Sequence, residues 1–382
     1  MLLPKLFQQL QQLVAAPSVS SHDPDWDMGN RDVIHLLAQW LEPLGFKTEI
    51  IPIAGSDGKK CNLIATLGSG PGGLVFSGHT DTVPYDDFQW QSDPFKLVDK
   101  DGRWYGLGAT DMKGFFPVAI EAARAFADKP LRQPLIILAT ADEESSMSGA
   151  QALVDSGHPR ARYAVIGEPT GLVPIRMHKG IMMEEIRIEG RSGHSSDPSL
   201  GNSALEAMHT VLGDLIALRQ QLQQAHQNPG FVIPGPTLNL GCIHGGDNPN
   251  RICGQCTLQI DLRPIPGMDN EELRQRIDQL LQRVQQQSGC QIQRHTLFGG
   301  VPAFAEDAQS AIVKAAEKLT GHQAESVAFA TEAPFLQQLG METIVMGPGS
   351  INQAHQPNEF IAVEQIEPAL ETLKALIARF CL

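Results

Sequence analysis

The chain has 382 residues, enough for two or three domains, and is 42% hydrophobic and 19% charged, the make-up of a globular protein in water. Its 43 Asp and Glu against 29 Lys and Arg give a formal net charge of -14, the wrong sign for binding nucleic acid or an anionic membrane. Six cysteines are too few for a disulfide framework, no apolar run approaches the ~18 residues of a membrane span, and the first ten residues lack a signal-peptide core, so a cytoplasmic protein is expected.

Leu6, Leu10, Leu13 and Val14 recur at helical spacing, and residues 30–44 read as a second helix stopped by Gly45. Strands are predicted at 61–67 and 73–77, a helix at 112–126, and buried strands at 134–140 and 163–166. Near Lys179-Gly180 the pattern changes. A strand opened by Ile181, Met183, Ile186 and Ile188 is followed by a helix at 202–225, strands at 237–242 and 256–262, a helix at 269–287 and a strand at 290–294. That order, β-α-β-β-α-β, is the split βαβ of a ferredoxin-like α+β domain. The expected organisation is an α/β domain of residues 1–179 plus 296–382, interrupted by an inserted ferredoxin-like domain at 180–295. The α/β pattern resumes with a helix at 307–319, a strand at 343–346 and a helix at 363–380.

The chemistry-bearing residues fall just past predicted strand ends, where ligands bind in open α/β sheets. His79 and Asp81 follow one strand, Asp142-Glu143-Glu144 the next, Glu168 a third, and His355 the strand at 343–346. Asp111 sits in the turn Gly108-Ala109-Thr110-Asp111-Met112-Lys113-Gly114. So many carboxylates at short range repel one another unless something positive sits among them. Imidazole with carboxylate and no thiolate suits Zn, Mn or Co.

Two motifs are decoys. Gly68-Ser69-Gly70-Pro71-Gly72-Gly73 fits a dinucleotide fingerprint but leads into a strand rather than a helix, so a hairpin turn is expected. Cys253-Gly254-Gln255-Cys256 has no second pair at metal-site spacing, and strand alternation would put its thiols on opposite faces.

The strings Ser77-Gly78-His79-Thr80-Asp81-Thr82-Val83-Pro84, Gly-Ala-Thr-Asp-Met-Lys-Gly, Asp-Glu-Glu and Gly167-Glu168-Pro169 resemble the dinuclear zinc peptidases of the M20 family. The resemblance implies a zinc-peptidase-like catalytic domain, an inserted lid and dimerisation domain, a homodimer, and two divalent ions per chain, Zn2+ first and Co2+ or Mn2+ as alternatives. It makes Asp111 the bridging ligand, His79 and Glu168 the ligands of one ion, and Glu144 and His355 those of the other. Asp81 would accept the second ring N–H of His79. Glu143 would be the general base and His194, in Arg191-Ser192-Gly193-His194-Ser195-Ser196, the oxyanion donor from a partner subunit. The Asp111–Met112 peptide would be cis. Thr331-Glu332-Ala333-Pro334-Phe335, the segment from Met346 to His355, and Asn250-Arg251-Ile252-Cys253 look most like family members that deacetylate N2-acetyl-L-ornithine. Asn250, Arg251 and Arg263 would then hold a substrate α-carboxylate, with Thr331 and Asn352 as further contacts. Rival readings are a succinyl-diaminopimelate desuccinylase, an aminoacylase or a dipeptidase of the same family, and a ligand-binding homologue without catalysis.

Overall fold

A computed structural model describes residues 2–85 and 87–382. The chain forms two compact units. One comprises residues 1–176, 306–325 and 331–382, and the other residues 177–305 and 326–330. The second is wider than the 180–295 read from the sequence, because the strand expected at 290–294 continues as Gln291–Val301.

In the larger unit the strand order is Lys47–Pro52, Cys61–Leu67, Leu135–Thr140, Leu74–His79, Tyr163–Ile166, Glu342–Val345. The first two pairings are antiparallel, and the last four strands run parallel. These four are apolar and nearly wholly buried, as a sheet covered on both faces requires. Their carboxyl ends therefore lie along one edge, which is where the chemistry-bearing loops emerge. The glycine turn at 68–73 does not close a hairpin, because the Leu135–Thr140 strand lies between the two strands it connects. Helices Leu2–Val14, Arg31–Leu41, Phe115–Arg124 and Ile366–Cys381 close the core with apolar stripes such as Leu6, Leu10, Leu13 and Leu370, Leu373, Ile377. Truncating Phe76 or Phe116, both fully buried there, should cost ~3–5 kcal/mol.

The smaller unit has the order Thr237–Gly245, Gln255–Arg263, Ile181–Glu189, Gln291–Val301, with every neighbour antiparallel. Helices Ala204–Ala225 and Asn270–Ser288 pack on one face, meeting Met182, Ile186 and Ile188 at every second strand position. Ser203 and Asp269 cap them by accepting backbone N–H groups of Glu206 and of Glu271 and Glu272. Cys253 precedes its strand, so alternation does not govern it. Both Cys253 and Cys256 enter this core, which corrects the expectation of opposite faces. Among the described residues no helix is long and apolar enough to cross a membrane.

Candidate metal centre

His79 is the last residue of its strand, and Asp142, Glu168 and Met346 follow the ends of the three parallel strands beside it. Parallel pairing thus brings together residues spread from 79 to 355. Two glycines allow the close packing behind them. A Cβ on Gly78 would meet Met112 Cε at 2.5 Å, and one on Gly167 would meet the Phe115 ring at 2.2 Å. Both glycines directly precede a site residue, so the turn carrying Asp111 can approach the strand ends. The Asp111–Met112 peptide is cis, as expected. The helix after it starts at Phe115 rather than Met112, because residues 109–114 remain in turns.

Asp111 presents its two oxygens to two different imidazoles. Oδ1 lies 3.1 Å from His79 Nε2, and Oδ2 lies 3.4 Å from His355 Nε2. Glu168 approaches the first ring at 3.9 Å, and Glu144 the second at 3.0 Å. Among the described residues, His79, Asp111 and Glu144 form the one group of three metal-type ligands with donor atoms all within 4.8 Å of one another.

Asp81 acts differently from the sequence reading. His79 Nδ1 is 2.9 Å from the Asp81 backbone carbonyl and 3.7 Å from its carboxylate. The carboxylate instead accepts the backbone N–H groups of Glu143 and Glu144, at 3.2 and 3.0 Å. Two successive amides point at Asp81, so it fixes the turn bearing Glu143 and Glu144 while its carbonyl fixes the His79 ring. Asp142 anchors that turn from behind, accepting Ser20 Oγ at 2.9 Å and Ser148 Oγ at 2.8 Å and pairing with Lys60 Nζ at 2.7 Å.

The electrostatics are those of crowded, dehydrated acids. Burial pushes Glu143 and Glu168 well above the usual carboxylate range, and neighbouring carboxylates add to it. Burial likewise raises Asp81 to about 6. Burial opposes charge on His79, but the Asp111 bond and the carboxylates around the ring outweigh it and hold its pKa well above 6.5. Bonds to Asp111 and Glu144 raise His355 to about 10. Burial disfavours the Asp111 charge too, yet both imidazoles hold its pKa below the normal range.

The donor set fits divalent cations. With Nδ1–H of His79 given to the Asp81 carbonyl, the neutral ring turns the Nε2 lone pair toward Asp111 and Glu168 oxygens. Lone pairs at 3.1 Å from carboxylate repel unless a proton or a cation lies between them. Nitrogen and oxygen donors without sulfur suit Zn2+, Co2+ or Mn2+.

The remaining predicted residues divide. Thr331 is buried and its hydroxyl accepts the Ala333 N–H at 3.2 Å, while Asn352 is exposed in a short 3-10 turn. In the smaller unit, His194 and Arg251 form a backbone bridge and Ser195 N–H donates to the Asn250 carbonyl at 3.1 Å, so His194, Asn250 and Arg251 share one patch. Ser196 N–H donates to His194 Nδ1 at 3.2 Å, which leaves the hydrogen of the neutral ring on Nε2. Arg263 does not join them. It lies opposite Thr237 at the other end of the Gln255–Arg263 strand and pairs with Asp261 at 2.7 Å. Eight strand residues at ~3.3 Å each put roughly 26 Å between the two ends. One substrate carboxylate therefore cannot touch both Arg251 and Arg263 of the same chain.

Two further buried acids escaped the sequence reading. Glu332, 1% exposed, adds its charge to those around Glu143 and Glu168, and burial raises it to about 7. Glu359, 2% exposed, bonds the backbone of the Asp111 turn. The only sequence signal for either was adjacency, Glu332 to Thr331 and Glu359 to the His355 segment.

The profile of the peptidase family M20/M25/M40 matches residues 75–379. An acetylornithine deacetylase of Pasteurella multocida (strain Pm70) is 48% identical over 379 residues, covering 99% of each chain. One of Proteus mirabilis (strain HI4320) is 48% identical over 380 residues, covering 100% of this chain and 98% of that one. Among solved structures, a tripeptidase of Staphylococcus aureus superposes with a TM-score of 0.76 at 20% identity over 98% of each chain. A metallo-carboxypeptidase of Sulfolobus solfataricus gives 0.75 at 18% identity over 98% of each chain. At such identities these two likenesses speak for the fold alone.

Proposed function

The chain belongs to peptidase family M20/M25/M40, and from that premise we propose that it is a metal-dependent amidohydrolase that cleaves N2-acetyl-L-ornithine to L-ornithine and acetate. The observation that carries the chemistry is the split presentation of Asp111, one oxygen to each imidazole, with Glu168 and Glu144 flanking. Near-half identity over the full length to relatives called acetylornithine deacetylase supports the substrate. The same relatives support a place in arginine biosynthesis.

Asp111 would serve both ions, with His79 and Glu168 holding one and Glu144 and His355 the other. Two divalent ions, Zn2+ first, would supply Lewis-acid stabilisation of charge on the scissile carbonyl and ease deprotonation of the attacking water. Glu143 takes the proton of that water and returns it to the leaving amine. Burial raises its proton affinity above that of an exposed carboxylate, the direction that makes a carboxylate a better proton acceptor. His194, its Nε2–H directed away from Ser196, donates to the carbonyl oxygen as negative charge develops there. The His194, Asn250 and Arg251 patch belongs to the smaller unit, which we assign to dimerisation, and serves the centre of a partner subunit. Thr331 and Asn352 complete the substrate contacts.

A panel of acetylornithine, acetylmethionine, succinyl-diaminopimelate and simple dipeptides, scored by kcat/KM with added Zn2+ or Co2+, tests the substrate. Acetylornithine should lead it. A lead by the succinyl substrate or a dipeptide would replace this reading with another member's.

A further inference from the structure

Asp111 and His355 face each other across the centre, yet they come from segments far apart in the sequence, and no local structure sets their spacing. Glu359 joins them. It lies four residues beyond His355, and its carboxylate accepts three backbone N–H groups of the Asp111 turn. Oε1 takes Thr110 at 2.8 Å and Asp111 at 3.0 Å, and Oε2 takes Gly108 at 3.0 Å. Its own carbonyl accepts the Gly106 N–H at 3.0 Å. The side chain is 2% exposed, so little water competes for these bonds.

Lys113, the nearest buried cation of the turn, is engaged elsewhere. Its Nζ donates to the Leu13 and Ala16 carbonyls at 3.0 and 2.8 Å, at the end of the first helix. The partners of Glu359 are therefore the converging amides, a nest that favours a carboxylate with both oxygens accepting.

We infer that Glu359 is a positioning residue of the metal centre: it clamps the Asp111 turn to the His355 segment and so sets the spacing of the ligands these two segments present. The inference rests on the reading of Asp111 and His355 as metal ligands. The ion held by Asp111, Glu144 and His355 depends on both clamped segments, whereas the ion held with His79 and Glu168 depends on one. Gln is the conservative replacement, because it keeps the size but presents an NH2 group to an N–H donor on one side. Asp keeps the charge but is one methylene short of the turn.

Co2+ titration of the metal-free full-length protein, followed by visible absorption and calorimetry, tests the assignment. The step abolished in His355→Ala identifies the ion of interest. In Glu359→Gln and Glu359→Asp that step should weaken by ~10–100-fold, the usual scale for partners that orient ligands, and the other step should change less. Leu373→Ala, in the core of the C-terminal helix, is the control for general destabilisation. The inference is overturned if both steps are unchanged in the Glu359 variants, or if both weaken only as they do in Leu373→Ala. A wild type that binds no Co2+ overturns the metal reading itself, and this inference with it.

Discussion

Each unit buries acids, but they are answered differently. In the smaller unit Glu184 is fully buried on the helix-covered face of the sheet, and Arg274 and Arg294 each meet it at 2.8 Å, with the Thr296 hydroxyl at 2.9 Å. Both carboxylate oxygens have donors and both arginines answer its charge, so the group is closed. In the larger unit Asp111, Glu143, Glu144 and Glu168 gather around only two imidazoles, and burial together with mutual repulsion drives two of the four far above their ordinary pKa. A buried carboxylate is therefore not in itself a sign of function. The sign is a shortage of positive charge among groups that the backbone has gone to some length to converge.

The largest expected effect breaks the comparison on the catalytic side. Glu143→Ala should lower kcat by ~10²–10⁴-fold while two ions still bind, if the proposed base is removed and the proposed ligands are kept. Removing a dehydrated acid should not lower Tm. Unchanged turnover with acetylornithine would take the base role away from Glu143. Glu184→Ala is its mirror image. Leaving two arginines without their partner should cost ~3–5 kcal/mol of stability, read by denaturant unfolding, with kcat/KM unchanged. Replacing the triad together, as Glu184→Leu with Arg274→Met and Arg294→Met, should recover much of that loss. Failure to recover would mean the closed group does more than satisfy itself.

The same contrast explains what the sequence made legible. Ligand-type residues placed after strand ends can be read from alternating apolar runs, because parallel pairing forces all those ends onto one edge. The order β-α-β-β-α-β likewise specified the antiparallel order of the smaller sheet. Backbone partners were not legible. Nothing in the string His79-Thr80-Asp81 distinguishes a carboxylate bonded to the ring from one bonded to the amides of Glu143 and Glu144, some sixty residues later. Glu359 was hidden for the same reason, since its partners are N–H groups that every sequence contains. Arg263 stands apart from Arg251 for a different reason. Its strand-end position was right, but it lies at the opposite end of the strand from Arg251, a matter of direction rather than of position.

Glu332 lies between the two kinds of acid, buried beside the centre and outside both imidazole–carboxylate groups. Burial raises its pKa from 4.5 to about 7, so its protonated form is the one that the fold favours. Its contribution to stability is complete below pH ~4.5 and is lost as pH rises through about 7, where the folded protein must either carry the buried charge or hold the proton. Glu332→Gln does not titrate. In chelator-treated protein the variant should gain on the wild type by roughly 3 kcal/mol between pH 4.5 and 7.5, from a shift of that size at 1.36 kcal/mol per unit. A stability difference independent of pH would show that Glu332 is already answered by a partner, as Glu184 is.

The smallest effect concerns two arginines of one unit. Arg294 is answered inside the fold by Glu184 and Asp278, but Arg251 is exposed and, among the described residues, its ion pair is with exposed Asp247, a contact worth little in water. Its charge is thus available to a substrate carboxylate, and Arg251→Ala should lower kcat/KM for acetylornithine through KM. A charge-assisted bond of ~1.5–3 kcal/mol corresponds to roughly 10–100-fold. Arg263, held by Asp261 at the far end of the strand, should change KM little on the same truncation. Equal losses from the two would require both ends of one strand to reach one substrate, which the ~26 Å between them forbids within a single chain. That result would instead place the two arginines on opposite sides of the substrate, one from each subunit of a dimer.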